Sequence, residues 1–164
     1  MTRNTPEFAQ SLTIQLNRAA HVVTARIATV LKERYRLRLT EWGILSQLSE
    51  HGALSQTDLV RLTGYDKVSI SRAAIGIVKR RLAKRWICGE DGRVHFLVLT
   101  SEGEAMAVET GQTVADIEAG LLSTIALDRA ADFRAILTEV KDLAKPSTEE
   151  HMLQPRTILL RVVA

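Results

Sequence analysis

From Asp66 to Lys79 the sequence reads DKVSISRAAIGIVK, and helical spacing sets two kinds of residue on opposite sides. Ile70, Ala73, Ala74 and Ile77 share one face, while Val68, Ser69, Arg72, Gly76 and Lys79 lie opposite. The chemistry open to the second group is recognition of a base-pair edge. An arginine such as Arg72 donates two parallel hydrogen bonds to a guanine, Ser69 bonds a base or a phosphate, and Val68 suits the methyl group of thymine. Lys67 and Ser71 flank this face and are expected on phosphates, and Lys84 and Arg85 add phosphate-directed charge further on. Ile75, on the same face, has no such role and is expected to pack under the strands that follow.

These side chains need a scaffold. Asp66 is a good N-cap for their helix. From Leu82 the pattern changes, with Leu82–Trp86 and Val94–Leu99 flanking the turn-forming run Gly89-Glu90-Asp91-Gly92, which predicts a β-hairpin. Upstream, Ser55 caps a helix over Gln56–Thr63 with Asp58 completing a capping box, and Gly64 stops it. Helix, glycine turn, helix, basic hairpin is the layout of a winged helix-turn-helix, in which the second helix enters a major groove and the hairpin lies along a minor groove.

Composition narrows the alternatives. In 164 residues, 46% are hydrophobic but only 4% aromatic, which favours a helical core of small aliphatic residues. The net charge of +3 conceals an asymmetry. Residues 61–99 carry nine Lys/Arg against three Asp/Glu, whereas residues 100–150 carry four against eleven. No apolar run reaches the roughly 18 residues of a membrane span and no secretory segment opens the sequence, so a cytoplasmic protein with no membrane partner is expected. Cys88 alone supports neither a disulfide framework nor a cysteine-rich zinc site, and His21, His51, His95 and His151 show no metal-ligand spacing. No cofactor or metal is expected. Without a nucleophile elbow, a phosphate loop or a metal-dependent pair, an enzyme is not expected.

The remaining elements read as helices. Pro6 to about Arg36 carries Phe8, Leu12, Leu16, Ala19, Val23, Ile27, Val30 and Leu31 at helical steps, and a second stripe of Ile14, Ala20 and Val22. The surplus apolar surface points to a second subunit. Thr40 is expected to cap a helix over Glu41 to Glu50 with Trp42, Leu45 and Leu48 inward, and Ala53-Leu54 to form a short strand edging the wing. After the wing, Ser101 and Glu104 form a capping box for a helix to about Leu122. Asp128 then caps a last helix to about Lys145, with Phe133, Ile136, Leu137, Val140 and Leu143 on one stripe. The apolar end Thr157–Val163 is expected to dock on the subunit or its partner.

The motifs Leu37-x-Leu39-x-x-Trp42-x-x-Leu45, Leu54-Ser55-Gln56-x-Asp58-Leu59, Asp66-Lys67-x-Ser69-Ile70-Ser71-Arg72, Asp91-x-Arg93 and Leu99-Thr100-Ser101-Glu102-Gly103 follow one another in register. With them the chain resembles the MarR family of bacterial transcriptional regulators over about Leu37 to Met106. The resemblance implies a homodimer joined by its first and last helices, reading successive major grooves of a pseudo-palindromic site. It gives Arg93 the role of a minor-groove arginine steered by Asp91, attracted where A-tracts narrow the groove. It also implies an effector pocket lined by the first, second and fifth helices, where His21, Arg26, Arg36 and Trp42 are candidates to bind an aromatic carboxylate or phenol. The sequence departs from the family in three places. Arg81 replaces the glycine after the reading helix, so a different turn is expected, and Gly92 removes one basic residue from the wing. The N-terminal cysteine of the peroxide sensors is missing.

The expected protein is therefore mainly α. Residues 1–36 form a dimerisation helix, 37–100 a winged helix-turn-helix lobe with a small β-hairpin wing, 101–145 dimerisation helices and 146–164 a docked tail. Its expected function is sequence-specific DNA binding as a homodimeric repressor, released by a small organic effector. The alternative is a protein-interaction or non-specific architectural DNA-binding module on the same fold.

Overall fold

The computed structural model describes residues 11–87, 95–123 and 125–143. Among them, six helices and three strands run in the order α1 (Leu12–Tyr35), α2 (Leu39–His51), β1 (Leu54–Ser55), α3 (Gln56–Thr63), α4 (Lys67–Lys79), β2 (Ala83–Ile87), β3 (His95–Leu99), α5 (Ser101–Leu122) and α6 (Leu127–Leu143). Two units divide the chain, one ending at Ile117 and the other beginning at Glu118. The wing tip from Cys88 to Val94, with Asp91 and Arg93, lies outside the described residues, as do Pro6, Phe8 and the tail from 144 onward.

In the first unit, α2, α3 and α4 pack around one core that includes Leu31, Leu37, Ile44, Leu45, Leu59, Ile70 and Ile77. The inner face of α4 is as the spacing requires: Ile70, Ala73, Ala74 and Ile77 are all buried. Each of the two isoleucines contributes about 1.5–3 kcal/mol by leaving water. The sheet is antiparallel in the order β1-β3-β2, so β1 does edge the wing, pairing Leu54 with Leu97 and Ser55 with Phe96. Ser55 and Asp58 form the expected capping box, and Gly64 ends α3 at φ 72°.

Three expected caps are corrected. Thr40 lies inside α2, whose first turn is tied instead by the Glu41 carboxylate, which accepts from the Arg38 backbone N–H and from its guanidinium, both at 2.9 Å. Ser101 is already helical, and the Thr100 hydroxyl accepts from Gly103 N–H (3.1 Å) while donating to the Arg81 carbonyl (2.7 Å). Asp128 falls within the first turn of α6, which starts at Leu127. Nor does Gly76 belong to the open face of α4. A Cβ there would collide with the Glu41 carboxylate, so glycine lets α2 and α4 approach.

Arg81 keeps the turn that a glycine would make. Its φ is 60°, and its N–H bonds the Val78 carbonyl while Leu82 N–H bonds that of Ile77, which is the Schellman arrangement. The chain accepts the left-handed strain rather than changing the turn. Arg81→Gly is expected to stabilise the protein by about 0.5–1 kcal/mol, the left-handed penalty less the entropy a glycine restores to the unfolded chain. Urea denaturation of the two proteins side by side measures it, and an unchanged or lower midpoint contradicts the strain.

In the second unit, α6 places Phe133, Ile136 and Leu137 in the open.

Candidate nucleic-acid interface

The reading face is built by α4 and its cap. Asp66 accepts from the N–H groups of Val68 and Ser69 (both 2.9 Å) and from the Ser69 hydroxyl (2.6 Å). The hydrogen bond from the Ser69 hydroxyl, then that from its N–H, holds the Asp66 carboxyl below the usual carboxylate range. The Ser69 proton is thus committed to the cap, and toward a base or phosphate its oxygen offers lone pairs only. The sequence held no sign of this division of labour beyond the Asp-x-x-Ser spacing.

Opposite the buried face, Val68, Arg72, Ile75 and Lys79 fall within an arc of about 60°. All are exposed, Val68 at 57% and Ile75 at 54%. Ile75 therefore does not pack under the strands, a correction with a simple cause: the wing meets α4 on its inner side, where Ile77 and Leu97 are buried. Among the described residues no acidic side chain pairs with the Arg72 guanidinium. The ion pairs among the described residues are Arg38–Glu41, His51–Glu50 and Arg61–Asp58.

Beside this stripe, an open cleft of about 620 Å³ runs between the N-terminus of α3, α4 and the sheet. Lys67, Ser71 and Arg85 line it together with Gln56, Thr57 and Phe96. Three expected phosphate contacts are thereby brought to one cleft, two from α4 and one from β2, the next element along the chain. Gln56 and Thr57 were not anticipated, although their place in the first turn of a capped helix, where free N–H groups point outward, was a usable signal. Lys84 is exposed on the opposite face of β2 from Arg85, paired with Val98.

The effector candidates are not brought to one place. His21, Arg26 and Arg36 are exposed, while Trp42 is half-buried against the core. His21 and Arg36 stand about 22 Å apart along α1. The tie that does connect α1 with the reading helix was missed: the Arg80 guanidinium donates to the carbonyls of Tyr35 (3.0 Å) and Arg36 (2.9 Å), closing the C-terminus of α1. Arg36 itself sits at φ 54°. Further along, the Tyr35 hydroxyl meets that of Thr113 at 2.7 Å.

Among the described residues there is no cluster of His, Cys, Asp or Glu suited to a metal ion, and no helix is long and apolar enough to cross a membrane.

Comparison with known proteins agrees with this geometry. Residues 37–94 match the model of the MarR family. No curated protein matches the sequence. Among solved structures, a MarR family transcriptional regulator from Silicibacter pomeroyi is 26% identical, over 80% of this chain and 87% of that one, with a TM-score of 0.69. Two others, both 20% identical, share the fold. BpsR of Bordetella bronchiseptica, whose DNA binding is regulated by 6-hydroxynicotinic acid, covers 84% of this chain and 98% of its own (TM-score 0.75). Sco3205, a MarR family regulator from Streptomyces coelicolor in complex with DNA, covers 83% and 87% (TM-score 0.73). The span matched by the family model carries α3, α4 and β2, which supply the stripe and most of the cleft, while β3 completes the cleft with Phe96 and Leu97. Over residues 37–94 the chain thus matches the MarR family, and the described residues share the winged helix-turn-helix fold of its solved members.

Proposed function

We propose that this protein is a repressor that binds a pseudo-palindromic operator as a homodimer and leaves it when a small aromatic carboxylate or phenol binds. The observation that carries the reading is Arg72, in no ion pair with the described residues, at the centre of an exposed helix face beside a cleft with two cations. Lys67, Ser71 and Arg85 hold phosphates in that cleft, Lys84 adds charge from the other side of the wing, and Arg72, Val68 and Ser69 meet bases in the major groove. Asp91 and Arg93 extend the contact to the minor groove.

Two features support the dimer. Leu12 and Val22 on α1 are exposed, as are Phe133, Ile136 and Leu137 on α6, more apolar surface at the two ends than a monomer usually leaves in water. Residues 1–36 and 101–145 serve this joining, around the DNA-binding lobe of residues 37–100. An aromatic acid as effector is supported by the hydroxynicotinic acid that regulates BpsR. Arg36 and Trp42, at the junction of α1 and α2, are its candidate contacts, whereas His21, about 22 Å from Arg36 along α1, is too far to reach the same small molecule. The ligand acts by preferring a dimer whose reading helices are wrongly spaced for successive grooves.

Fluorescence anisotropy with DNA from the protein's own promoter region, against scrambled DNA at near-physiological salt, tests this. Preferential binding by a dimer, reversed by hydroxylated aromatic acids, is the expected result. Equal and weak binding to both DNAs contradicts sequence-specific repression, and binding insensitive to every acid tried contradicts the effector class.

A further inference from the structure

The outward stripe of α4 holds two side chains that neither guanine recognition nor phosphate binding uses. Val68 and Ile75 are seven residues apart, close to two helical turns, and so point the same way with Arg72 between them. Both are more than half exposed, and neither belongs to the apolar core. Their branching at Cβ holds each in essentially one rotamer on a helix, so the face they offer is stiff. Helix propensity gives no reason for them either, since branched residues are weaker helix formers than the alanines of the same segment.

Their surroundings decide what they fit. The same stripe carries Arg72 and Lys79, Lys67 and Arg85 stand beside it, and α4 contains no acidic residue. Two apolar points in a cationic field match a polyanion whose surface also projects isolated methyl groups. The floor of the DNA major groove is such a surface, and the C5-methyl of thymine is its apolar projection.

We infer that Val68 and Ile75 are specificity-determining contacts, each selecting a thymine methyl on either side of the guanine bound by Arg72. The inference rests on the proposed DNA reading and deepens it. The two side chains are about 10 Å apart along the helix axis, so the thymines lie about three base-pair steps apart in each half-site.

The test begins with selection of sites by the full chain from a random duplex pool. Each thymine of the best site is then replaced in turn by deoxyuridine, which lacks only the methyl group. Two thymines per half-site are expected to lose about fourfold in affinity when the methyl is removed, the worth of one buried methyl. Val68→Ala is expected to abolish the sensitivity at one thymine and Ile75→Ala at the other. Neither variant should lower the parent's melting temperature or change the salt dependence of its DNA binding, since neither side chain is in the core or charged. If a selected site shows no response to methyl removal, or if both variants keep the full response, the inference is overturned while the DNA reading stands. If only Val68→Ala has an effect, the assignment of Ile75 is overturned. If the pool yields no preferred sequence at all, the DNA reading itself fails and the inference with it.

Discussion

Arg72→Ala is expected to lower affinity for the selected operator by about 1–3 kcal/mol per contacted guanine, roughly five- to 150-fold, and to relax preference at one position of each half-site. The reason is geometric. Arg72 lies on the outermost line of α4, its guanidinium belongs to none of the described ion pairs, and the helix beneath it is fixed by four buried residues and by the Asp66 cap. A planar fork held on a rigid helix matches the two acceptors of guanine, which a lysine ammonium does not. Arg72→Lys should therefore restore binding to non-specific DNA and its salt dependence without restoring the base preference. Anisotropy titrations on the selected site and its single-base variants, at two salt concentrations, separate these effects. Parent-like discrimination in Arg72→Ala would mean that another residue reads the base.

The largest effect on stability is expected at Gly103, in the first turn of α5. Three hydrogen bonds converge at this junction. Thr100 N–H donates to the Leu82 carbonyl at 3.2 Å, the Thr100 hydroxyl donates to that of Arg81 at 2.7 Å, and Gly103 N–H donates to the same hydroxyl at 3.1 Å. They draw the start of α5 onto the turn that ends the reading helix. Gly103 is buried there, and a Cβ on it would overlap the carbonyl group of Leu82. The obstacle is backbone and cannot rotate away, so the junction itself must open. Gly103→Ala is expected to cost about 3 kcal/mol or more, lowering the melting temperature by about 2–4 °C for each kcal/mol. The neighbouring Gly111→Ala is the control. No described atom lies within 4 Å of the added Cβ there. That substitution should gain about 0.5–1 kcal/mol from helix propensity. Thermal unfolding followed by circular dichroism compares them, and equal effects from the two would dismiss the steric account.

Much of the reading head is legible in the sequence because its determinants are close neighbours along the chain. Ser55 with Asp58, the stop at Gly64, Asp66 ahead of α4, and the inward set Ile70, Ala73, Ala74 and Ile77 all act over four residues or fewer from one to the next. A cap is one side chain meeting an N–H two or three residues on, and an amphipathic helix repeats its apolar positions every three or four. Both leave a spacing that can be recognised without knowing the fold. The bounds of most strands and helices were likewise readable to within a residue or two, with α2, α5 and α6 starting slightly earlier than expected. The exception is α1, which starts at Leu12 rather than Pro6, with Ser11 outside helical geometry at ψ 124°.

Other features were decided only when distant segments met. Arg80 closes the end of α1 across 44 residues, Tyr35 meets Thr113 across 78, and Gly76 matters because Glu41 of another helix lies against it. Arg81 holds a left-handed turn because α5 and β2 leave that path and Thr100 binds its carbonyl, not because an arginine favours it. Exposure of Ile75 follows from which side of α4 the wing covers, and the gathering of Lys67, Ser71 and Arg85 into one cleft follows from how the sheet folds over α3 and α4. The sequence alone determined the local elements, their order and the charge of the reading helix, since these depend on interactions within a turn or two. Which side chains share a cleft, which are left in the open and which glycine cannot be replaced depend on contacts between segments far apart in the chain, and such contacts leave no periodic mark in the residues that make them.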